Sequence, residues 1–373
     1  MKKEKENQLP GEHKPVTDRY YEFVDFTYDF GSVKEFPLLG EKGMARFLPL
    51  LPVERMHTKI NNLGDTPLVK ANNFGSEAGL SNLWIKCENK NPTGCFKDRE
   101  SAIIISAAIE AGHESVYVIS SGNAALSTAK FAKEAGIKCT CFVPEKTSEE
   151  KKRLIEQNGA ELKEIPGFYE DVYRTVADMD FPGWNVTSGL NPYRIEGGKT
   201  MAYEIYEQLG NVPDAIVIPS GNGGCLAATW KGFVELKKLG KIKKLPKMIC
   251  VQISGAAPIK EALEQNKPYV VLGEIEDSVA EGIVAQESYN SPQAVLALQE
   301  SGGYVVEVND TEVISALEAI IRTESIVPEP TAAATFAALY KLKEPKDSLI
   351  VAVNTGDGKK MMNEINHLVK QAK

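Results

Sequence analysis

No apolar stretch in this 373-residue sequence approaches the roughly 18 uninterrupted residues that a membrane span requires. The N-terminus, MKKEKENQLPGEHK, is basic but has no apolar segment behind its charges, so it does not read as a secretory signal. Histidine is scarce: four residues, at 13, 57, 113 and 367, lie in polar or terminal contexts and offer no basis for a His-based triad or metal site. The six cysteines, at 87, 95, 139, 141, 225 and 250, are scattered with no CxxC pair, which argues against a zinc site. There is no block of basic residues either. Lys and Arg total 43 against 51 Asp and Glu, a formal charge of −8, so nucleic acid and anionic membrane are not expected partners. No repeat with a period of about 20–50 residues is present, which excludes a solenoid. Runs such as Cys139-Thr-Cys141-Phe-Val predict buried free thiols, and the expected location is the cytoplasm.

What remains is ordinary globular material, 43% hydrophobic and 25% charged, with length for about two to three domains. Short β-branched runs alternate with helical patterns. Strands are predicted at 83–87, 115–119, 138–143, 215–219, 248–253, 304–308 and 348–353. Helices are predicted at 98–111, 124–135, 201–209, 225–239, 312–323 and 330–342. The strand runs are nearly continuous in apolar residues, as in LIVAV, which suits strands covered on both faces. Such alternation predicts open, twisted α/β domains with mainly parallel sheets. Ligands in that class bind beyond the C-terminal ends of strands, so chemistry is sought in a few strand-to-helix loops.

Four loops stand out. Asn91-Pro92-Thr93-Gly94-Cys95-Phe96-Lys97 is a fixed turn that delivers a lysine to a helix start. The positive end of the helix disfavours an ammonium there, which suits an amine used as a nucleophile. The plain alternative is a helix start in which Asp98 neutralises a solvated Lys97. Ser120-Ser121-Gly122-Asn123 follows a strand and precedes a helix, a place to hold an anionic oxygen, although Asn123 serving only as a cap explains it equally. Ser220-Gly221-Asn222-Gly223-Gly224-Cys225 has more glycine than one turn requires, which points to a phosphate cradle. Asn354-Thr355-Gly356-Asp357-Gly358 places a hydroxyl and a carboxylate at a strand end, or simply caps the last helix. In addition, Arg194 and Lys199 in YRIEGGKT are two cations placed either for an anionic substrate or for a solvated helix entrance. Glu329-Pro330-Thr331-Ala-Ala-Ala reads as a small-residue helix packed tightly into the core.

The segments NPTGCFKDR, SSGNAAL, PSGNGGC, EPTAAAT and NTGDG, in that order, resemble the fold type II pyridoxal-phosphate enzymes. Within that group the chain is most similar to the threonine synthases, through the lysine loop, NPYRIEGGKT and the upstream GMARFLPLLPVE and LGDTPLV. The likeness runs from about residue 40 to the C-terminus. It implies that Lys97 carries the cofactor as a Schiff base and then moves protons between Cα, Cβ and C4′. It further implies that Asn123 bonds the phenolic oxygen, that backbone N–H groups of Gly221, Asn222, Gly223, Gly224 and Cys225 hold the phosphate, and that Thr355 faces the pyridine nitrogen. Ser120, Ser121, Thr187, Ser188, Arg194 and Lys199 match the substrate region. Cys95 stands where the family usually has serine, and Asp357 where it tends to have histidine.

The resemblance implies elimination of phosphate from O-phospho-L-homoserine and hydration to L-threonine, on a small anionic amino acid, by a homodimer. A β-replacement or β-elimination on O-phosphoserine, serine or threonine is the alternative, and a non-catalytic anion-binding protein is a third. The expected division is one domain at 83–200 and a second built from 16–82 with 201–373, the cofactor lying in the cleft between domains.

Overall fold

The β-branched runs become strands because their side chains are apolar on both faces. Every residue of Ala215–Pro219 and of Ile350–Asn354 is buried, as expected for strands covered above and below. The structure, a computed structural model, describes residues 25–371 apart from 168, 178 and 190. The N-terminal basic segment, and residues 16–24 of the expected larger domain, lie outside the described residues. The strands are β1 Leu68–Lys70, β2 Leu83–Cys87, β3 Ser115–Ile119, β4 Lys138–Pro144, β5 Glu161–Ile165, β6 Trp184–Asn185, β7 Ala215–Pro219, β8 Lys247–Ile253, β9 Tyr304–Val308 and β10 Ile350–Asn354. They form a six-stranded sheet in the order β1-β2-β10-β7-β8-β9 and a four-stranded sheet in the order β5-β4-β3-β6. Pairing is parallel except between β1 and β2.

Seven strands appear where the apolar runs predict them. The three that the pattern does not predict, β1, β5 and β6, all lie at sheet edges. β5 carries charge, in the sequence ELKEI, and β1 and β6 are three and two residues long, so the apolar signal is missing there. Among the described residues no helix is long and apolar enough to cross a membrane.

The chain divides into two compact units. One holds the described residues up to Asp65 together with Lys97–Thr200, and contains the four-stranded sheet. The other holds Thr66–Phe96 with the residues from Met201 onward, and contains the six-stranded sheet. The expected boundary at 83 is therefore corrected. β2 hydrogen-bonds to β10, with Leu83 opposite Ile350, so residues 83–96 go with the larger unit. Conversely, residues before 66 side with the smaller one: the Glu54 N–H donates to Glu110 Oε1 at 2.8 Å, and the His57 N–H to Ser106 Oγ at 2.9 Å. Strand–helix alternation announces where strands begin, but not which sheet each one joins.

Each unit has its own close packing. In the larger, helix Pro330–Ala338 is buried from Ala332 to Ala338, the small side chains letting it lie against the sheet core with Phe74, Val217 and Leu317. In the smaller, helix Lys97–Glu110 packs on helix Pro192–Gly198. A Cβ added at Gly197 would lie 2.1 Å from the Arg99 carbonyl oxygen and 2.9 Å from Glu100 Cα. Alanine's better helix propensity favours Gly197→Ala by up to about 1 kcal/mol, but overpacking against backbone costs about 3 kcal/mol, so the clash wins. Gly197→Ala is expected to lower the thermal midpoint by several degrees; an unchanged or raised midpoint would contradict this packing.

Candidate active site

In the larger unit, β2, β10 and β7 are neighbours and parallel, so their C-terminal ends share one edge of the sheet, where ligands bind in open α/β folds. Three of the four chemistry-bearing loops leave from there. Asn91 is buried and its side-chain amide donates to the Glu88 carboxylate at 2.8 Å, while the Gly94 N–H closes the turn on the Asn91 carbonyl at 2.8 Å. This fixed turn then runs antiparallel to the loop after β10, with Cys95 opposite Gly356. The Phe96 N–H donates to the Thr355 carbonyl at 2.9 Å, and the Asp357 N–H donates to the Gly94 carbonyl at 2.8 Å. Lys97 is the next residue in the chain.

Thr355 Oγ1 is buried and has no hydrogen-bond partner within the described protein, and the same is true of both amide atoms of Asn354. Buried polar atoms are normally paired, so an unpaired hydroxyl at a strand end marks a position for a ligand atom. Asp357 has a different role. Its carboxylate accepts from the Lys359 N–H at 3.0 Å and caps the turn Gly358–Met361.

After β7, the glycine loop leads into helix Gly224–Lys238, whose N-cap is Gly223 at φ +80° with no side-chain cap. A Cβ at Gly221 would lie 3.0 Å from Ile283 Cα. The Asn222 carbonyl accepts from the Asn290 N–H at 2.8 Å, and the Gly221 carbonyl accepts from Ser288 Oγ. The carbonyls are thus turned to the 288–290 segment, and the first-turn N–H groups, which have no partner inside the helix, are left at its positive end. That is an anion cradle of backbone atoms, with Cys225 half-buried beside it.

In the smaller unit, Lys97 opens its helix, and its Nζ lies 2.9 and 3.0 Å from the two oxygens of Glu100. Asp98, which the plain alternative makes the group that neutralises Lys97, is buried and accepts from Ser127 Oγ at 2.7 Å, so it anchors the helix start. The Glu100 carboxylate, only 4% exposed, also accepts from Arg194 Nη1 at 3.4 Å and from Ser188 Oγ at 3.5 Å. Arg194 is 2% exposed and donates further to the Val186 carbonyl and to Thr128 Oγ1 at 2.9 Å. Burial pulls its guanidinium below the usual arginine range, opposed by the Glu100 charge.

Lys199 is fully buried, 2.6 Å from Glu196 and 4.1 Å above the Tyr28 ring. Arg194 and Lys199 therefore do not stand as free cations facing a substrate: each has a carboxylate of its own chain, because a buried cation without one is costly. Thr187 is buried too, its Oγ1 accepting from the Ile119 N–H at 3.1 Å, which ties the end of β3 to the segment after β6. Ser120 and Ser121 are half-buried, and Ser120 Oγ accepts from the Gly122 N–H at 3.2 Å. The helix after them has Gly122 as N-cap with no side-chain cap. Asn123 is its first residue.

Lys97, Ser188 and Arg194 are therefore brought together, by a residue that the sequence reading passed over. Glu100 was findable: three residues after Lys97 on a helix is the same face. Lys199 stands apart, in its own cluster with Glu196 and Tyr28.

Residues 60–356 match the family model described as pyridoxal-phosphate dependent enzyme. The chain is 36% identical over 352 residues to the threonine synthase of Methanocaldococcus jannaschii, covering 90% of this chain and 86% of that one. It is 35% identical over 325 residues to the threonine synthase of Mycobacterium tuberculosis, covering 85% and 88%. Among solved structures, a fungal L-serine ammonia-lyase from Rhizomucor miehei superposes with a TM-score of 0.71 at 21% identity, over 83% of this chain and 98% of that one. A threonine deaminase from Solanum lycopersicum superposes at 0.67 and 21% identity, over 81% and 87%; at that identity the likeness speaks for the fold. The lysine turn, the glycine cradle, the unpaired hydroxyl and the match over most of the chain agree: this protein belongs to the pyridoxal-phosphate-dependent enzymes of fold type II.

Proposed function

We propose that the chain eliminates phosphate from O-phospho-L-homoserine and adds water to give L-threonine, as a carbon–oxygen lyase. The substrate follows the relatives named threonine synthase, which match 85–90% of the chain. The observation that carries the cofactor chemistry is the backbone pairing of Phe96 with Thr355, which sets the lysine loop beside the unpaired Thr355 hydroxyl.

The residues fit the cofactor. The uncapped helix start at Gly223 suits a phosphate, and the orphaned Thr355 Oγ1 suits a ring nitrogen. When bound, pyridoxal phosphate supplies the electron sink for the pair left at the substrate Cα. The protein's share is binding, orientation and proton transfer. The N–H groups of Gly221, Asn222, Gly223, Gly224 and Cys225 hold the phosphate by backbone dipoles. Thr355 meets the ring nitrogen with a neutral hydroxyl, which stabilises less positive charge there than a carboxylate would. Asn123 serves the phenolic oxygen. Lys97 Nζ takes and returns the protons at Cα and Cβ. Ser120, Ser121, Thr187 and Ser188 lie on the two loops that follow β3 and β6 and are assigned to the substrate.

The wider reading is a cytoplasmic homodimer acting on a small anionic amino acid. All six cysteines are free thiols, five of them buried, which supports a reducing compartment. Burial pushes the Cys250 thiol up to about 12 and the Cys87 thiol up to about 11, so these two remain protonated at neutral pH. The homodimer follows the family resemblance.

Purified protein is expected to show a visible absorbance band that borohydride bleaches and that Lys97→Ala abolishes. Protein that stays colourless with added pyridoxal phosphate sinks the proposal. Phosphate release with threonine formation is expected from O-phosphohomoserine; release from O-phosphoserine alone would replace this reaction with a β-elimination. Thr355→Val removes an unpaired buried hydroxyl, so the cofactor-free protein should melt at the same or a higher temperature, by about 1 kcal/mol in stability. The same change should weaken cofactor retention several-fold in dialysis. Unchanged retention would remove Thr355 from the cofactor site.

A further inference from the structure

Three donors from separate segments converge on one carboxylate. Lys97 Nζ lies 2.9 Å from Glu100 Oε1, while Arg194 Nη1 and Ser188 Oγ reach Oε2 at 3.4 and 3.5 Å. Glu100 is 4% exposed and Arg194 is 2% exposed, so water does little to screen the charge between them. The other acceptors that Arg194 uses, the Val186 carbonyl and Thr128 Oγ1, are neutral. Glu100 is thus its charge partner. Two of the same donors, Ser188 and Arg194, are residues that the family resemblance matches to the substrate region.

A carboxylate and a dianionic phosphate cannot share these donors without like-charge repulsion in a poorly screened place. We propose that Glu100 is a specificity-determining internal counter-ion, which a substrate or product phosphate must displace from Arg194 and Ser188. This rests on the elimination reading above and sharpens it. The chain's own anion keeps the buried Arg194 satisfied between turnovers, lowers the affinity for phosphate, and recaptures its partners so that released phosphate leaves. Removing the charge leaves a buried guanidinium without a counter-ion, a costly state that an incoming anion relieves.

The test is Glu100→Gln, which keeps the shape and removes the charge, measured in the cofactor-loaded enzyme with inorganic phosphate as the probe. Calorimetric titration is expected to show phosphate bound at least tenfold more tightly than by the unaltered enzyme. Phosphate should also raise the melting temperature of the variant more than that of the unaltered enzyme. KM for O-phosphohomoserine should fall while kcat does not rise, because product phosphate is held longer. A merely structural salt bridge predicts lower stability with unchanged or weaker phosphate binding, and that result overturns the proposal. If Glu100→Gln does not fold, Glu100→Asp decides: it withdraws the carboxylate from Arg194 by one methylene and should give a smaller gain, whereas no gain overturns the idea.

The two readings fail separately. Turnover of O-phosphohomoserine by the unaltered enzyme, with no phosphate gain in the variants, removes only the role of Glu100. Tighter phosphate in Glu100→Gln, with no turnover of O-phosphohomoserine by either form, removes only the reaction.

Discussion

Two backbone hydrogen bonds, Phe96 N–H to the Thr355 carbonyl and Asp357 N–H to the Gly94 carbonyl, are what the arrangement of the larger unit's site depends on. They involve no side chain, so they constrain the lysine loop whatever residues decorate it. Their effect is to pair two loops locally as strands pair: Cys95 and Gly356 face one another in an antiparallel bridge, directly beyond the β10–β2 ladder. This sheet-like anchor ends one residue before Lys97, whose side chain keeps 29% of its surface open.

The smaller unit solves a different problem with charge. Asp98, Arg99 and Glu100 follow Lys97 into the helix, and all three are buried. Asp98 binds Ser127 and Arg99 binds Thr200, so two of the three hold the helix in its place while the third reaches Arg194. The tight contact at Gly197 lies over the backbone of Arg99 and Glu100. The two helices can therefore approach there because residue 197 has no side chain.

How much was legible follows from where each signal resides. The inner strands could be read because burial on both faces forces continuous apolar runs, as in Ile350–Asn354. β1, β5 and β6 could not, because β1 and β6 are only three and two residues long and β5 is interrupted by charge. The glycine loop and the lysine turn could be read, since both carry their geometry in local residue types. The fate of Arg194 and Lys199 could not. Their segment looks polar and solvent-facing, yet the glycines at 197 and 198 let its helix bury, and their counter-charges, Glu100 and Glu196, become visible only in three dimensions. Lys86 repeats the lesson within β2: a lysine with no exposed surface, held by Glu204, Gln208 and the Thr66 carbonyl.

The path of the chain carries one more consequence. It passes from one unit to the other after residues 65, 96 and 200, so neither unit is a continuous stretch of sequence. No single cut releases either as a fragment, and no simple exchange of gene segments can replace one and keep the other. The passage after Phe96 falls immediately before Lys97. A change in the sequence at that crossing therefore alters the loop of one unit and the helix start of the other at once.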